Sequence, residues 1–273
     1  MLFCGYLIFC QSCVKMRMSS KKTTEYFSKS NTSHTDSTFQ INEIHKLHYI
    51  QTGDATKPTL FFIHGSPGSW DAYKRYLSDI DLQKKYRLIA IDRPGFGYSN
   101  FGKAEDLSSQ ANLILPFIKF KNNNQPITLI GHSMGGPVAV KLATQNPTLF
   151  KNLVILAGAI DPKEETPENW RPILMSKPIR YIIPGAFRPS NDELWWLKDD
   201  LINMKSQLYK ITSNVVIIHG TKDPLVPFFN VYFMEKAFIN ANKIETIPIE
   251  NANHFIPWEH YETIKKSLMI LED

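Results

Sequence analysis

Five short runs of almost wholly apolar residues, each ending at Gly, His, Ala or Asp, constrain the fold of this chain most. They are Thr59–Ile63 before His64-Gly65, Arg87–Ile91 before Asp92, Ile127–Ile130 before Gly131, Asn152–Leu156 before Ala157-Gly158, and Asn214–Ile218 before His219-Gly220. A strand that is apolar on both faces must be covered on both faces. That implies a parallel sheet with helices on either side. Thr38–Ile41 and Lys46–Ile50 read as two strands of an opening antiparallel piece, and Ile244–Ile249 as the last strand. Helical patterns fill the gaps near 70–80, 107–121, 134–145, 230–239 and 258–271; in one of them Val138, Leu142 and Ala143 share a face. Alternating strands and helices of this kind argue for a doubly wound α/β fold. Ligands of such sheets bind at the carboxyl ends of the strands. There the Gly, His, Ser and Asp residues gather.

Residues 161–213 break the rhythm. They offer no strand but carry Trp170, Phe187, Trp195 and Trp196. A structureless loop of that length is improbable in a compact domain. The expectation is a helical cap inserted over the strand ends, with 37–160 and 214–273 forming the core. The alternative is ordinary helices packed on the sheet.

The chain has 273 residues and a formal net charge of +5, of which residues 1–40 supply +3. No basic face with interleaved aromatics and no zinc-finger or RNA-binding pattern is visible, so nothing points to nucleic acid. All three cysteines, Cys4, Cys10 and Cys13, lie in the first thirteen residues. A cysteine nucleophile or cysteine-rich metal site in the body is therefore excluded. The run Leu2–Cys10 is too short to span a bilayer, which takes roughly 20 residues. It has the length of a signal-peptide core, though no basic residues precede it. An apolar run, a small residue and a cysteine resemble a bacterial lipoprotein signal. Cys13, after Ser12, fits better than Cys10, after Phe9. The expectation is a lipid attachment at Cys13 and a place at the cell envelope, with residues 1–36 as signal-like segment and polar linker. A merely apolar tail on a cytoplasmic protein is the alternative.

The chemistry centres on Gly131-His132-Ser133-Met134-Gly135-Gly136, which follows a strand and opens a helix. Gly-x-Ser-x-Gly in that setting is a nucleophile elbow. The turn is so sharp that side chains two positions either side of the serine would clash, and Gly131 and Gly135 relieve this. Serine needs a base to take its proton. His254, after the last strand, can be that base. Asp223, on the turn after the preceding strand, can fix the imidazole tautomer. Asp161 is a weaker rival for the acid. His64 and His219 precede glycines in strand-end turns and read as structural, His260 as a surface residue, and Asp92 as a loop organiser. Developing negative charge would be met by backbone N–H groups of Met134 and of Ser66 in His64-Gly65-Ser66-Pro67-Gly68; Pro67 has no N–H.

His64-Gly65-Ser66-Pro67-Gly68, Asp92-Arg93-Pro94-Gly95-Phe96-Gly97-Tyr98-Ser99, the Ser133 pentapeptide, Asp223 and His254 together resemble the α/β-hydrolase superfamily over roughly residues 38–273. The resemblance implies the α/β-hydrolase fold with a mostly parallel eight-stranded sheet flanked by helices, a cap and a Ser-His-Asp triad, with no metal or organic cofactor. Epoxide hydrolases and haloalkane dehalogenases share the His-Gly-x-Pro type of loop but use an Asp nucleophile, and Ser133 sets this chain apart from them. Carboxylesterases look similar around Ser133. So do carbon–carbon bond hydrolases of aromatic degradation, in which a His is followed closely by a Trp, here His254 and Trp258. Their cap supplies an arginine for an acidic substrate, and Arg171, Arg180 and Arg188 are candidates. The leading expectation is cleavage of a small or medium carboxylic ester. A carbon–carbon bond hydrolase and a non-catalytic binding protein are the alternatives.

Overall fold

The structure, a computed structural model, describes residues 14–271. Cys4, Cys10 and Cys13 lie outside the described residues. Eight strands form one sheet: β1 His34–Gln40, β2 Lys46–Thr52, β3 Thr59–Ile63, β4 Arg87–Ile91, β5 Ile127–His132, β6 Asn152–Leu156, β7 Asn214–Gly220 and β8 Lys243–Ile249. Their spatial order is β1-β2-β4-β3-β5-β6-β7-β8. The β1–β2 and β2–β4 pairs are antiparallel, and every other pair is parallel. Each residue of β3, β4, β5, β6 and β7 is buried, as continuous apolar runs require. The apolar edge β8 is only half-buried, because one side of it has no neighbouring strand.

Ten helices accompany the sheet among the described residues: α1 Ser20–Lys29, α2 Lys74–Leu77, α3 Ile80–Lys85, α4 Leu107–Phe120, α5 Gly135–Gln145, α6 Arg171–Met175, α7 Phe187–Lys205, α8 Phe229–Ala237, α9 Ile256–Glu259 and α10 Tyr261–Met269. Two apolar layers result. One unites α4, α5, the second half of α7 and α8 through residues such as Ile114, Val138, Leu201 and Met234. The other joins α1, the 70–86 helices and α10 through Phe27, Trp70, Tyr76 and Ile264. From β3 the chain passes first to β4 on one side and then to β5 on the other. The strand order therefore reverses at β3, which opens a crevice beyond the carboxyl ends of β3 and β5.

The stretch expected to be polar linker differs from that reading. Ser19 caps α1 by accepting from Lys22 N, and Thr23 and Phe27 share its one buried face. Phe27 is wholly buried, stacked on His34 at 4.6 Å and on Trp70 at 6.0 Å. Strand β1 already starts at His34. Two inward residues four apart are enough to seat a short helix when a tryptophan waits beneath them. Residues 20–36 therefore carry a helix anchored on the domain through Phe27 and the start of β1.

Between β6 and β7 no strand occurs, only α6, α7 and two 3₁₀ turns, Ile179–Ile182 and Leu208–Lys210. The nineteen-residue α7 has two characters. Leu197, Leu201 and Met204 enter the core layer, whereas Ser190, Asn191, Asp192 and Glu193 are buried polar residues.

Candidate active site

The site is built from three strand ends. At the end of β5 the chain turns so sharply that Ser133 has φ +53°. That left-handed conformation is costly for a residue with a Cβ. The turn is held by Ser133 N donating to Leu156 O at 3.0 Å and by Gly136 N donating to Ser133 O at 2.9 Å. A Cβ on Gly135 would lie 2.7 Å from His64 O and closer still to Ile63 O; one on Gly131 would lie 2.9 Å from Gly136 Cα and closer still to Gly135 O. Those distances are too short for any side chain, which is why glycine stands on both sides. Ser133 itself stays half-exposed.

The ends of β7 and β8 carry the acid and the histidine. Thr221 N donates to Ile249 O and Lys222 N to Ala252 O, both at 3.0 Å, so the two loops are laced together. His254 Nδ1 donates to Asp223 Oδ2 at 2.7 Å. The other carboxylate oxygen, Oδ1, accepts from Leu225 N and Val226 N at 2.8 Å each. Burial pushes the Asp223 carboxyl up. The bond from His254 and the two turn amides outweigh it and hold the group below the ordinary carboxylate value. An ionised Asp223 takes the proton-bearing Nδ1, which leaves Nε2 of His254 as a free base.

His132 connects this pair to the serine turn. Its Nε2–H donates to His254 O at 3.0 Å, and its ring lies 4.9 Å from that of His254 and edge-on to Trp258 at 5.4 Å. Burial, reinforced by His254, depresses its pKa to about 3, so it is neutral wherever the protein is folded near neutrality.

The loop after β3 runs against the serine. A Cβ on Gly65 would lie 3.0 Å from Ser133 Cβ. Among the described residues, neither the Ser66 N–H nor the Met134 N–H is donated to a protein acceptor. Two unpaired main-chain donors beside a serine hydroxyl can receive an oxyanion.

The rival residues have other occupations. Asp161 Oδ1 accepts from Lys163 N, and its own N–H donates to Asn230. His64 Nδ1 donates to Gly65 O at 2.7 Å while Nε2 accepts from Arg93 N at 2.9 Å. Burial and the nearby Arg93 charge keep it neutral, well below the ordinary histidine value. His219 donates Nε2–H to Val226 O at 2.8 Å. Asp92 organises its loop, accepting from Trp70 N, Tyr98 N and His48 Nδ1, each at 2.8 Å. His260 is half-buried at the junction of α9 and α10, where its N–H donates to Ile256 O.

Sequence reasoning missed the support behind the loop that carries Ser66. Arg93 is fully buried and donates through Nε to His64 O at 2.8 Å and through a terminal nitrogen to Gly65 O at 3.0 Å. Its guanidinium is neutralised bidentately by Glu193 of α7 at 2.6 and 2.8 Å, and Gln110 accepts at 2.7 Å. Ser66 Oγ bonds Ser190 Oγ of α7 at 2.9 Å. The first half of α7 thus grips the loop that carries Ser66. Arg93 stands inside the Asp-Arg-Pro-Gly motif, of which only Asp92 was given a role from the sequence. Glu193 lies 100 positions away and carries no local signal. The arginines considered for an acidic substrate have carboxylate partners in two cases. Arg171 pairs with Glu168, and Arg180 pairs with Asp192 at 2.6 Å. Arg188 donates to Ile183 O. Among the described residues no group of three or more His, Cys, Asp or Glu side chains is placed to hold a metal ion.

Comparison with known proteins places this geometry. The family model described as alpha/beta hydrolase fold matches residues 58–181. The chain is 35% identical over 112 residues to Epoxide hydrolase 1 of Caenorhabditis elegans, a stretch covering 40% of this chain and 27% of that protein. It is 31% identical over 118 residues to the sn-1-specific diacylglycerol lipase ABHD11 of Mus musculus, covering 42% of this chain and 36% of the mouse protein. These matches therefore span well under half of either relative. Among solved structures, the esterase EaEST of Exiguobacterium antarcticum superposes with a TM-score of 0.69 at 19% identity, over 86% of this chain and 98% of that one. Sheet order, family match and near whole-domain superposition agree that the chain has the α/β-hydrolase fold.

Proposed function

We propose that this chain is a serine hydrolase that cleaves a small or medium carboxylic ester. The observation that carries the reading is the 2.7 Å bond from His254 Nδ1 to Asp223, which leaves Nε2 as a base in the loop braced by His132, the neighbour of Ser133. Ser133 Oγ attacks the ester carbonyl as His254 Nε2 takes its proton. The carbonyl oxygen becomes an oxyanion held by the Ser66 and Met134 amides. Collapse breaks the carbon–oxygen bond of the alcohol, which leaves with the proton from His254. Water, deprotonated by His254, then attacks the acyl-serine and frees the acid. One oxyanion donor contributes about 10²–10³ in rate. Segment 161–213 serves as the cap, with α7 closing over the oxyanion loop.

Relatives named epoxide hydrolases raise a second possibility, which the nucleophile argues against. A serine alkoxide opening an epoxide would form an ether, and hydroxide has no carbonyl at which to reverse that bond. An acyl-serine ester has one. The carbon–carbon alternative needs a cap cation for its acidic substrate, and Arg171 and Arg180 are already paired with carboxylates.

The test is turnover of p-nitrophenyl acetate and butyrate beside a panel of diketone acids. Ester turnover lost in Ser133→Ala, with the diketone acids untouched, is the expected result. Turnover of the diketone acids alone would replace the ester reading. At the other end of the chain, we propose that Cys13 carries a lipid that holds the protein at the cell envelope. Wild type then fractionates with membranes, and equal solubility of Cys13→Ser and wild type would remove this proposal.

A further inference from the structure

A cavity of about 490 Å³ opens between the segment before α1, the start of β2 and the loop after β4. Arg17, Lys46 and Lys103 line it, together with Tyr98, Asn100 and Phe101. Three cations thus share one small space whose lining holds no acidic side chain. The stretches of chain that supply the lining, 14–24, 44–53 and 97–104, contain no Asp or Glu, and neither does the sequence before Val14. Positive charges gathered in a cleft focus their field there and raise the local concentration of anions.

Most of this charge is unspent. Arg17 is half-buried, with one terminal nitrogen donating to Gly97 O and its plane 3.9 Å over the Tyr98 ring. Among the described residues it meets no carboxylate, and its other donors are free. The exposed Lys46 ammonium has no hydrogen bond or ion pair among the described residues. Lys103 reaches Glu105 at 3.4 Å, but its side chain is 64% exposed, and Glu105 also faces His45 at 3.6 Å. An exposed pair of that kind contributes little and is easily exchanged. The walls, by contrast, are fixed. The Asn100 side chain accepts from Lys46 N and donates to Ile44 O, both at 2.8 Å. Gly102 N donates to Gly95 O at 2.8 Å, and Gly102 O accepts from Arg180 of the insertion at 3.1 Å. The loop that carries Phe101 and Lys103 is thereby tied to β2, to the β4 loop and to the insertion before any ligand arrives, which lowers the ordering cost of binding.

The donor set selects among anions. A guanidinium presents a planar fork that matches phosphate bidentately, and the two ammoniums act as point charges beside it. A phosphate monoester is close to dianionic at neutral pH and offers three terminal oxygens, enough for the fork and both ammoniums. A carboxylate would satisfy the fork and leave the ammoniums without a partner. The volume suits a phosphate with a small organic body, which Phe101 can border. Three cations around one cavity do not form the extended basic track that a nucleic-acid backbone needs. We propose that the Arg17–Lys46–Lys103 cavity binds the phosphate group of a small phosphorylated molecule. This requires neither the ester reaction nor acylation of a cysteine.

The test is calorimetric titration of the full chain with inorganic pyrophosphate and with phenyl phosphate at low ionic strength. One saturable site per chain is expected, weakened by added sodium chloride. The double variant Lys46→Gln with Lys103→Gln should weaken both probes about tenfold or more. It leaves the wall in place, because Asn100 is met by the main-chain N–H of Lys46, and an unchanged thermal midpoint would show the fold intact. Arg17→Lys keeps the charge but removes the fork, and should weaken binding as well. Lys119→Gln with Lys236→Gln removes the same charge from α4 and α8 and should leave binding as in wild type. Absence of saturable binding would overturn the proposal. So would equal weakening in the two double variants, which would reduce the effect to general attraction toward a basic chain. Succinate binding as tightly as pyrophosphate would overturn the assignment to phosphate.

Discussion

At the residue scale the site depends on a serine kept in a conformation it would not choose. The φ of +53° at Ser133 is held because β5 runs straight into α5 beneath the β3 loop, and only glycine fits at 131 and 135. Gly135→Ala drives a Cβ into the main chain of Ile63 and His64, which cannot yield as a side-chain tip could. A loss of about 2–4 kcal/mol is expected, read from the denaturant midpoint at constant slope. Asp223 gives a pH signature. Its carboxyl is held lower in the folded than in the unfolded state, mainly by His254 and the turn amides against burial. The stabilisation it supplies is therefore present above the unfolded value, about 4, and is lost as pH falls through the lower folded value. Asp223→Asn should flatten the acid limb of a stability–pH curve; an acid limb as steep as wild type would assign that limb to other carboxylates. These residue types and their order were legible from the sequence because turn sterics and triad chemistry restrict them severely. The role of His132 was not. A histidine between Gly131 and Ser133 carries no mark that its imidazole reaches back to the His254 carbonyl.

Among the elements, strands were the most legible and contacts across the chain the least. Runs such as Arg87–Ile91 and Asn152–Leu156 have the same bounds in sequence and structure, because burial on both faces leaves polar residues only at the ends. Helix α1 was hidden, since Thr23 and Phe27 are its only buried residues in a Ser/Thr/Lys-rich stretch. The grip of α7 on the loop that carries Ser66 was equally hidden, as it joins Arg93 to Glu193. Both side chains are fully buried, so Glu193→Gln strands a charge. Breaking such a pair costs about 3–5 kcal/mol. Because Arg93 holds the carbonyls of His64 and Gly65, the same variant should lower kcat more than it raises KM. A change in KM alone would confine Glu193 to stability. On the other side of the sheet, His48 of β2 links β1 to the β4 loop through Asp36 and Asp92, at 2.8 Å each. Burial opposes its charge, but the bonds and proximity of Asp92 and then Asp36 outweigh it and raise its pKa. The stabilisation is complete below the unfolded value, about 6.5, and fades as pH rises through the raised folded value. His48→Gln should be least stable relative to wild type in mild acid, with the two converging toward alkaline pH. A constant gap across that range, measured by thermal melts, would show that only packing was lost.

For the whole molecule, the sheet sets where chemistry can happen. The order reversal at β3 opens its crevice beside β5, and the carboxyl ends of β7 and β8 bring Asp223 and His254 to the same edge of the sheet. That arrangement was foreseeable from five apolar runs and their terminal residues. The proposed reaction makes one demand of the intact chain that a non-catalytic binding protein does not share: Ser133 must be a hyper-reactive nucleophile. Intact-mass measurement after incubation with a fluorophosphonate tests this most directly. A single adduct on Ser133, absent from Ser133→Ala and strongly slowed in His254→Ala, is the expected result. No adduct on the folded wild type, or an adduct that persists in Ser133→Ala, would contradict it.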